Sequence, residues 1–231
     1  MIEDTTNYLK KNNKKFEKGI ISKKSFIKTN YKNFHSKLFE YQNYLNETGI
    51  RNIEISKNSI IFTMNEKQIK MIVPKKDIRA TPLEILNFKK YESEEADMMK
   101  LILKNKKVFF DVGANLGWYS LLFSKVFSKT LVHSFEPISN TFNYLKSNVK
   151  INNCQNITLN NIGLSDSNNK MTFYYSEDHS GMASSRNLEN SSNVKKYYLK
   201  VKTLDEYCDS NNLSPDFIKC DVEGAEFMVF K

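Results

Sequence analysis

Two of the chain's seven glycines fall in one stretch, Asp111-Val112-Gly113-Ala114-Asn115-Leu116-Gly117, and an acid, Glu136, ends the next apolar run. Gly113 permits a tight turn and a close backbone approach, and Gly117 lets the following helix start against a ligand and the sheet. The two carboxylate oxygens of Glu136 can accept from both hydroxyls of a ribose, so the pair points to an adenosine-bearing cofactor. The dinucleotide fingerprint, G-x-G-x-x-G, needs a glycine where the pyrophosphate lies on the backbone, and here Asn115 intrudes. A P-loop would need G-K-[ST], which the stretch lacks. A loop headed by an acid suits a cationic amine better than phosphates, and S-adenosyl-L-methionine (SAM) fits that description.

Such a site needs strands that end together. Lys-Lys-Val-Phe-Phe-Asp-Val is an apolar run containing Asp111, the pattern of a buried parallel strand. Leu116, Tyr119, Phe123 and Val126 then recur at helical spacing, Leu131–Glu136 reads as the next strand, and Phe142, Leu145 and Val149 as the next helix. Residues 156–164 read as a third strand, and 171–176 with 197–201 as an antiparallel insertion. Thr203-Leu204-Asp205-Glu206 has the form of a capping box, and residues 216–221 read as a fourth buried strand. This alternation predicts an α/β, doubly wound, Rossmann-like sheet.

Upstream, residues 1–48 read as helical, with Ile27, Tyr31, Phe34, Leu38, Tyr41 and Leu45 on one stripe. Short alternating runs from Ile50, Ser59 and Gln68 predict a small antiparallel sheet. Thr81-Pro82-Leu83-Glu84 predicts a helix with Thr81 as N-cap, and a second helix is expected from Ser93 to Leu103. The division expected is a basic helical segment (1–48), a small sheet with helices (49–104) and a SAM-binding domain (105–231).

The motifs DVGANLG, FEP, NIGLSD, VKTLDEY and DVEGAE together resemble the FkbM-family class I SAM-dependent methyltransferases, from about Lys106 onward. The resemblance implies the SAM-methyltransferase sheet and O-methyl transfer, including to sugar or polyketide hydroxyls. It implies that Asp111, Gly113, Asn115 and Gly117 line the methionine end of SAM and that Glu136 holds the ribose, with Pro137 shaping the turn. It places Ile162, Gly163 and Leu164 beside adenine, with Asp166 near its amino group. Asp221 would lie near the transferred methyl and Glu223 beside it, and both are the candidate catalytic bases. Two carboxylates so close could alternatively hold a divalent cation that lowers the hydroxyl's pKa. The family continues with a fifth strand, a helix and a final hairpin, so the chain is expected to be incomplete after the fourth core strand. A truncated, non-catalytic or partner-dependent module is the alternative that this raises.

His179 is the candidate substrate contact, from a loop expected to overhang the acceptor. His133 and His35 read as structural, Trp118 and Tyr119 as core or cofactor contacts, and Cys220 as an inert core thiol.

With 35 Lys+Arg against 26 Asp+Glu the chain carries a formal charge of +9, and residues 1–50 hold ten lysines and five acids. A basic end can serve nucleic acid or anionic membrane, or simply be a solvated helix. A nucleic-acid methyltransferase is disfavoured, because base-amine enzymes carry an Asn/Asp-Pro-Pro-aromatic stretch where this chain reads Asp221-Val222-Glu223-Gly224. The partner expected is a small-molecule or glycan acceptor, and the N-terminal stripe reads either as a helix face packed on its own domain or as a homo-oligomer seam. Three widely spaced cysteines, the lack of an apolar leader and the lack of any long apolar run read as a cytoplasmic chain with no membrane span.

Overall fold

The computed structural model describes residues 5–176, 179–184 and 194–231. It falls into two compact units, Met1–Glu47 and Thr48–Lys231. Residues 49–104, expected as a segment of their own, thus belong to the same unit as the α/β sheet.

The first unit is three helices: α1 (Thr5–Glu17), α2 (Lys23–Asn30) and α3 (Ser36–Leu45), the last two joined through a π-helical turn at Tyr31–His35. The helix expected over 1–48 is therefore interrupted. Gly19 takes a left-handed φ of 70° after α1, and the Ser22 hydroxyl caps α2 by accepting from the Ser25 N–H. Phe16 stacks on Phe26 at 5.0 Å and Asn12 bonds Asn30 at 2.7 Å, which closes α1 on α2. The π turn changes the phase of the expected stripe. Ile27, Tyr31, Leu38 and Tyr41 are exposed.

The second unit opens with an antiparallel sheet of β1 (Ile50–Ile55), β2 (Ile60–Met64) and β3 (Lys70–Ile72), in that order. Next come α4 (Thr81–Phe88) and α5 (Ser93–Ile102). The first starts one residue earlier than expected: Ala80 holds the cap position, Thr81 is already helical and no side chain caps the end. Beyond them run β4 (Val108–Val112), α6 (Trp118–Val126), β5 (Leu131–Phe135), α7 (Ser139–Ile151) and β6 (Ile157–Asn160). The chain closes with β7 (Gly163–Leu164), β8 (Asn169–Ser176), β9 (His179–Ser184), β10 (Lys195–Lys202), α8 (Leu204–Asn211), β11 (Phe217–Cys220) and α9 (Glu226–Val229).

The core sheet is parallel throughout, in the order β11-β4-β5-β6. Alternate residues of β4 face opposite layers. Phe109 packs edge-on against Phe123 of α6 at 5.4 Å, whereas Phe110 meets Phe135 and, edge-on, Tyr207 of α8. Both phenylalanines are fully buried, and each contributes roughly 1.5–3 kcal/mol by burial. Helices therefore cover both faces, as a doubly wound α/β sheet requires. The chain runs outward from β4 through β5 to β6 and then returns to place β11 on the other side of β4. That reversal puts the ligand-binding crevice at the carboxyl ends of β4 and β11.

Residues 156–164 are two strands rather than one. β6 ends at Asn160, and Asn161 Nδ2 donates to the Glu136 and Pro137 carbonyls, turning the chain out of the core sheet. β7 then pairs with β10 in a second sheet ordered β7-β10-β8-β9, which contains the expected antiparallel insertion. The Thr203 cap is formed, its hydroxyl accepting from the Glu206 N–H at 3.1 Å.

Candidate active site

The turn after β4 is built around Gly113, whose φ is +76°. A Cβ there would stand 1.9 Å from the Asp221 carbonyl oxygen, so only glycine lets the two strand ends close. The Gly113 and Ala114 N–H groups both donate to the Phe135 carbonyl, tying the turn to β5. Asn115 follows in a left-handed conformation with φ of 49°, and its N–H donates to Glu136 Oε2 at 3.1 Å. Glu136 Oε1 accepts from the Ile138 N–H at 2.8 Å. This carboxylate is 5% exposed. Burial pushes its pKa up to about 7, against the pull of the two N–H donors and of Lys219.

A cleft of about 440 Å³ opens above this turn, within the usual range for small-molecule sites. Its lining includes Gly113, Asn115, Glu136, Pro137, Asp221 and Glu223, six of the residues expected at the site. Trp118 and Tyr119 line it as well.

Other expected residues lie elsewhere. Asp111 is 0% exposed, behind the wall, where it accepts from Ser120 Oγ and stands 3.7 Å from the Lys219 ammonium. Its other oxygen, Oδ1, has no hydrogen-bond partner. Gly117 serves packing: a Cβ there would stand 2.5 Å from Leu145 Cδ1 on α7. Leu164 is buried in the core with Ile162 packed against it. Gly163 is pressed between Phe173 and Val201, and Asp166 pairs with Lys231 at 3.5 Å. None of these six lines the cleft as described; Ile162, Gly163 and Leu164 are carried away with β7, which has left the core sheet. His179 begins β9, and its side chain lies outside the described residues.

Several cleft residues gave no sequence expectation. Lys219 stands on β11 opposite Asp111, and the stretch before α4, α4 itself and its link to α5 supply Arg79, Glu84, Lys90, Tyr91 and Glu92. Glu92 accepts from the Tyr119 hydroxyl at 2.7 Å, and burial together with this carboxylate pushes the Tyr119 pKa well above that of an ordinary tyrosine. Tyr91 meets Trp118 edge-on, with centroids 6.4 Å apart. Lys219 was the one with a signal: a lysine inside the buried run Phe-Ile-Lys-Cys-Asp shares a strand face with Asp221. For the residues from 79 to 92 no local pattern announces a site.

Glu92 and Glu223 both hold left-handed backbone, with φ of 42° and 52°, which is uncommon for glutamate and concentrates at functional sites. Burial, then Asp221 and Glu226, raise the Glu223 pKa. Asp221 is 54% exposed and accepts from Lys219 at 3.3 Å. Burial pushes the Cys220 thiol up to about 12, in keeping with an inert cysteine. His133 Nδ1 meets the Tyr207 hydroxyl at 2.8 Å within the core. Among the described residues no group of three His, Cys, Asp or Glu side chains could hold a metal ion. No helix of the described residues is long and apolar enough to cross a membrane.

A family model described as the methyltransferase FkbM domain matches residues 111–231, just over half of the chain. No curated protein matches. One similar solved structure is precorrin-6y C5,15-methyltransferase from Geobacter metallireducens GS-15, at 20% identity over 29% of this chain, with a TM-score of 0.26. Another is Trm5b from Pyrococcus abyssi, at 17% identity over 49% of this chain, with a TM-score of 0.31. The chain spans 37% of the length of each. Similarity this low carries no argument about this chain's activity.

Proposed function

The chain belongs to the methyltransferase FkbM family, and from that premise we propose that it binds SAM in this cleft and directs its methyl group to an acceptor hydroxyl. The observation that carries the reading is Glu136. It is a buried carboxylate at the carboxyl end of β5 whose two oxygens each hold one backbone N–H bond. Each oxygen keeps a second lone pair, so both ribose hydroxyls can be accepted. The residues fit the cofactor in two further ways. Gly113 leaves the backbone bare where the amino-acid end would lie, and Tyr119, Trp118 and Pro137 supply apolar wall.

The bound cofactor supplies an activated methyl group, which leaves the protein two tasks. The first is to hold the acceptor oxygen in line, where positioning alone can lower the barrier by several kcal/mol. The second is to receive the hydroxyl proton. Asp221 is committed to Lys219, whereas the raised pKa of Glu223 suits a proton acceptor, so Glu223 is the base. Tyr91 and Trp118, with Arg79, Glu84 and Lys90 around them, form an aromatic and polar surface on the acceptor side. That combination suits the hydroxyl-rich ring of a sugar, in a surface glycan or a secondary metabolite. The acids Glu84, Glu92, Asp221 and Glu223 in the same lining disfavour a phosphate backbone.

Calorimetric titration with S-adenosylhomocysteine tests the cofactor assignment. Binding should be measurable for the intact chain and weakened by about tenfold or more in Glu136→Ala. A folded chain that binds nothing sinks the assignment.

A further inference from the structure

Lys219 occupies a position where a buried strand would ordinarily carry an apolar side chain. Its ammonium donates to the Gly113 carbonyl and to Asp221 Oδ2, both at 3.3 Å, and stands 3.7 Å from Asp111 Oδ1. The Tyr119 ring lies 5.3 Å from Nζ. The side chain is only 14% exposed, yet it lines the cleft at the turn itself. Burial opposes its charge, but Asp111, Asp221 and Glu92 outweigh burial and hold its pKa above the ordinary lysine value. The group is therefore a fixed cation at neutral pH. An ammonium has three N–H donors. Two are engaged within hydrogen-bond distance, which leaves one for a ligand that reaches the turn.

We propose that Lys219 binds the α-carboxylate of the cofactor's amino-acid end, while the Asp221 carboxylate and the Gly113 carbonyl take its ammonium. This rests on the SAM reading above. A zwitterion suits such a site because it brings one charge of each sign to a neighbouring cation and anion. Lys219 and Asp221 each gain an opposite charge, the net charge of the cleft is unchanged, and no buried ion is left without a partner. Asp111 acts from behind, fully buried, as the counter-charge that keeps the ammonium at the turn. The third donor of Lys219 and the bare backbone at Gly113 give the two ligand groups adjacent places.

The test pairs a change in the ligand with a change in the protein. S-adenosylhomocysteine is compared by calorimetry with its decarboxylated analogue, which keeps the ammonium, on the intact chain and on Lys219→Met and Lys219→Arg. The intact chain should bind the decarboxylated analogue about tenfold or more weakly. Lys219→Met should erase that difference by weakening S-adenosylhomocysteine alone, and Lys219→Arg should largely restore it. Equal binding of both ligands by the intact chain overturns the assignment, and that result needs no variant to fold. A Lys219→Met chain that weakens both ligands equally overturns it too, since the preference for the carboxylate then persists without the ammonium. If the intact chain binds neither ligand, the SAM reading itself has failed.

Discussion

Glu136 carries two opposed demands in one carboxylate. In the folded chain its pKa stands at about 7 against 4.5 for an ordinary glutamate, so folding favours the protonated form. Its contribution to stability is complete below the unfolded value and is lost as pH rises through about 7, a change on the order of 3 kcal/mol. We expect urea unfolding of the ligand-free chain to show stability falling between pH 5 and pH 8, and Glu136→Gln to lack that component. Cofactor affinity should run the other way, weakening below about pH 7, because the ionised form accepts the ribose hydroxyls. A common pH dependence in both variants would show that Glu136 is not the titrating group. Of the site residues, Gly113 and Glu136 were legible from type and spacing, and Asp221 and Glu223 from the family resemblance. Asp111 and Gly117 were legible as important but not in their roles, since nothing local says which side of the turn faces solvent.

At the scale of elements, two asparagines, Asn148 of α7 and Asn152 at its C-cap, stand in for a strand. Asn148 Oδ1 accepts from the Ile72 N–H at 2.8 Å while its amide donates to the Leu116 carbonyl. Asn152 Oδ1 accepts from the Lys70 N–H, and its amide donates to the Lys70 carbonyl. Thus β3 is fastened to the helix that also packs Gly117, and the small sheet is coupled to the turn of the site. Asn148→Ala should cost about 1–3 kcal/mol for each backbone group left unpaired, read as a lower unfolding midpoint. Hydrogen exchange at the Ile72 amide should rise with it. Unchanged exchange there would refute the coupling. The sequence marks α7 by Phe142, Leu145 and Val149, yet gives no hint of this bond, because an asparagine reads alike whether solvated or paired with a distant strand.

For the whole molecule, every described residue of the cleft belongs to the unit from Thr48 to Lys231. No described residue of the basic helical unit lines it. A chain lacking residues 1–47 should bind S-adenosylhomocysteine within about twofold of the intact chain, a difference of roughly 0.4 kcal/mol. A loss of tenfold or more would mean that the helical unit supports the site. The homo-oligomer seam expected from its stripe is a proposal that sedimentation of both chains at one concentration would test. The exposed Ile27, Tyr31, Leu38 and Tyr41 motivate it.

The sequence by itself determined the α/β class, the four parallel strands, the glycine turn and the acid that follows it. These depend on period, burial pattern and backbone conformation, which are local properties. Only the tertiary structure decided that β7 leaves the core sheet and takes Ile162, Gly163 and Leu164 away from the cleft. It also decided that Lys219 joins Asp221 at the turn and that residues between 79 and 92 line the cleft. Those outcomes depend on pairing between segments far apart in the chain, where side-chain hydrogen bonds such as those of Asn161 choose between sheets that the local pattern leaves equal.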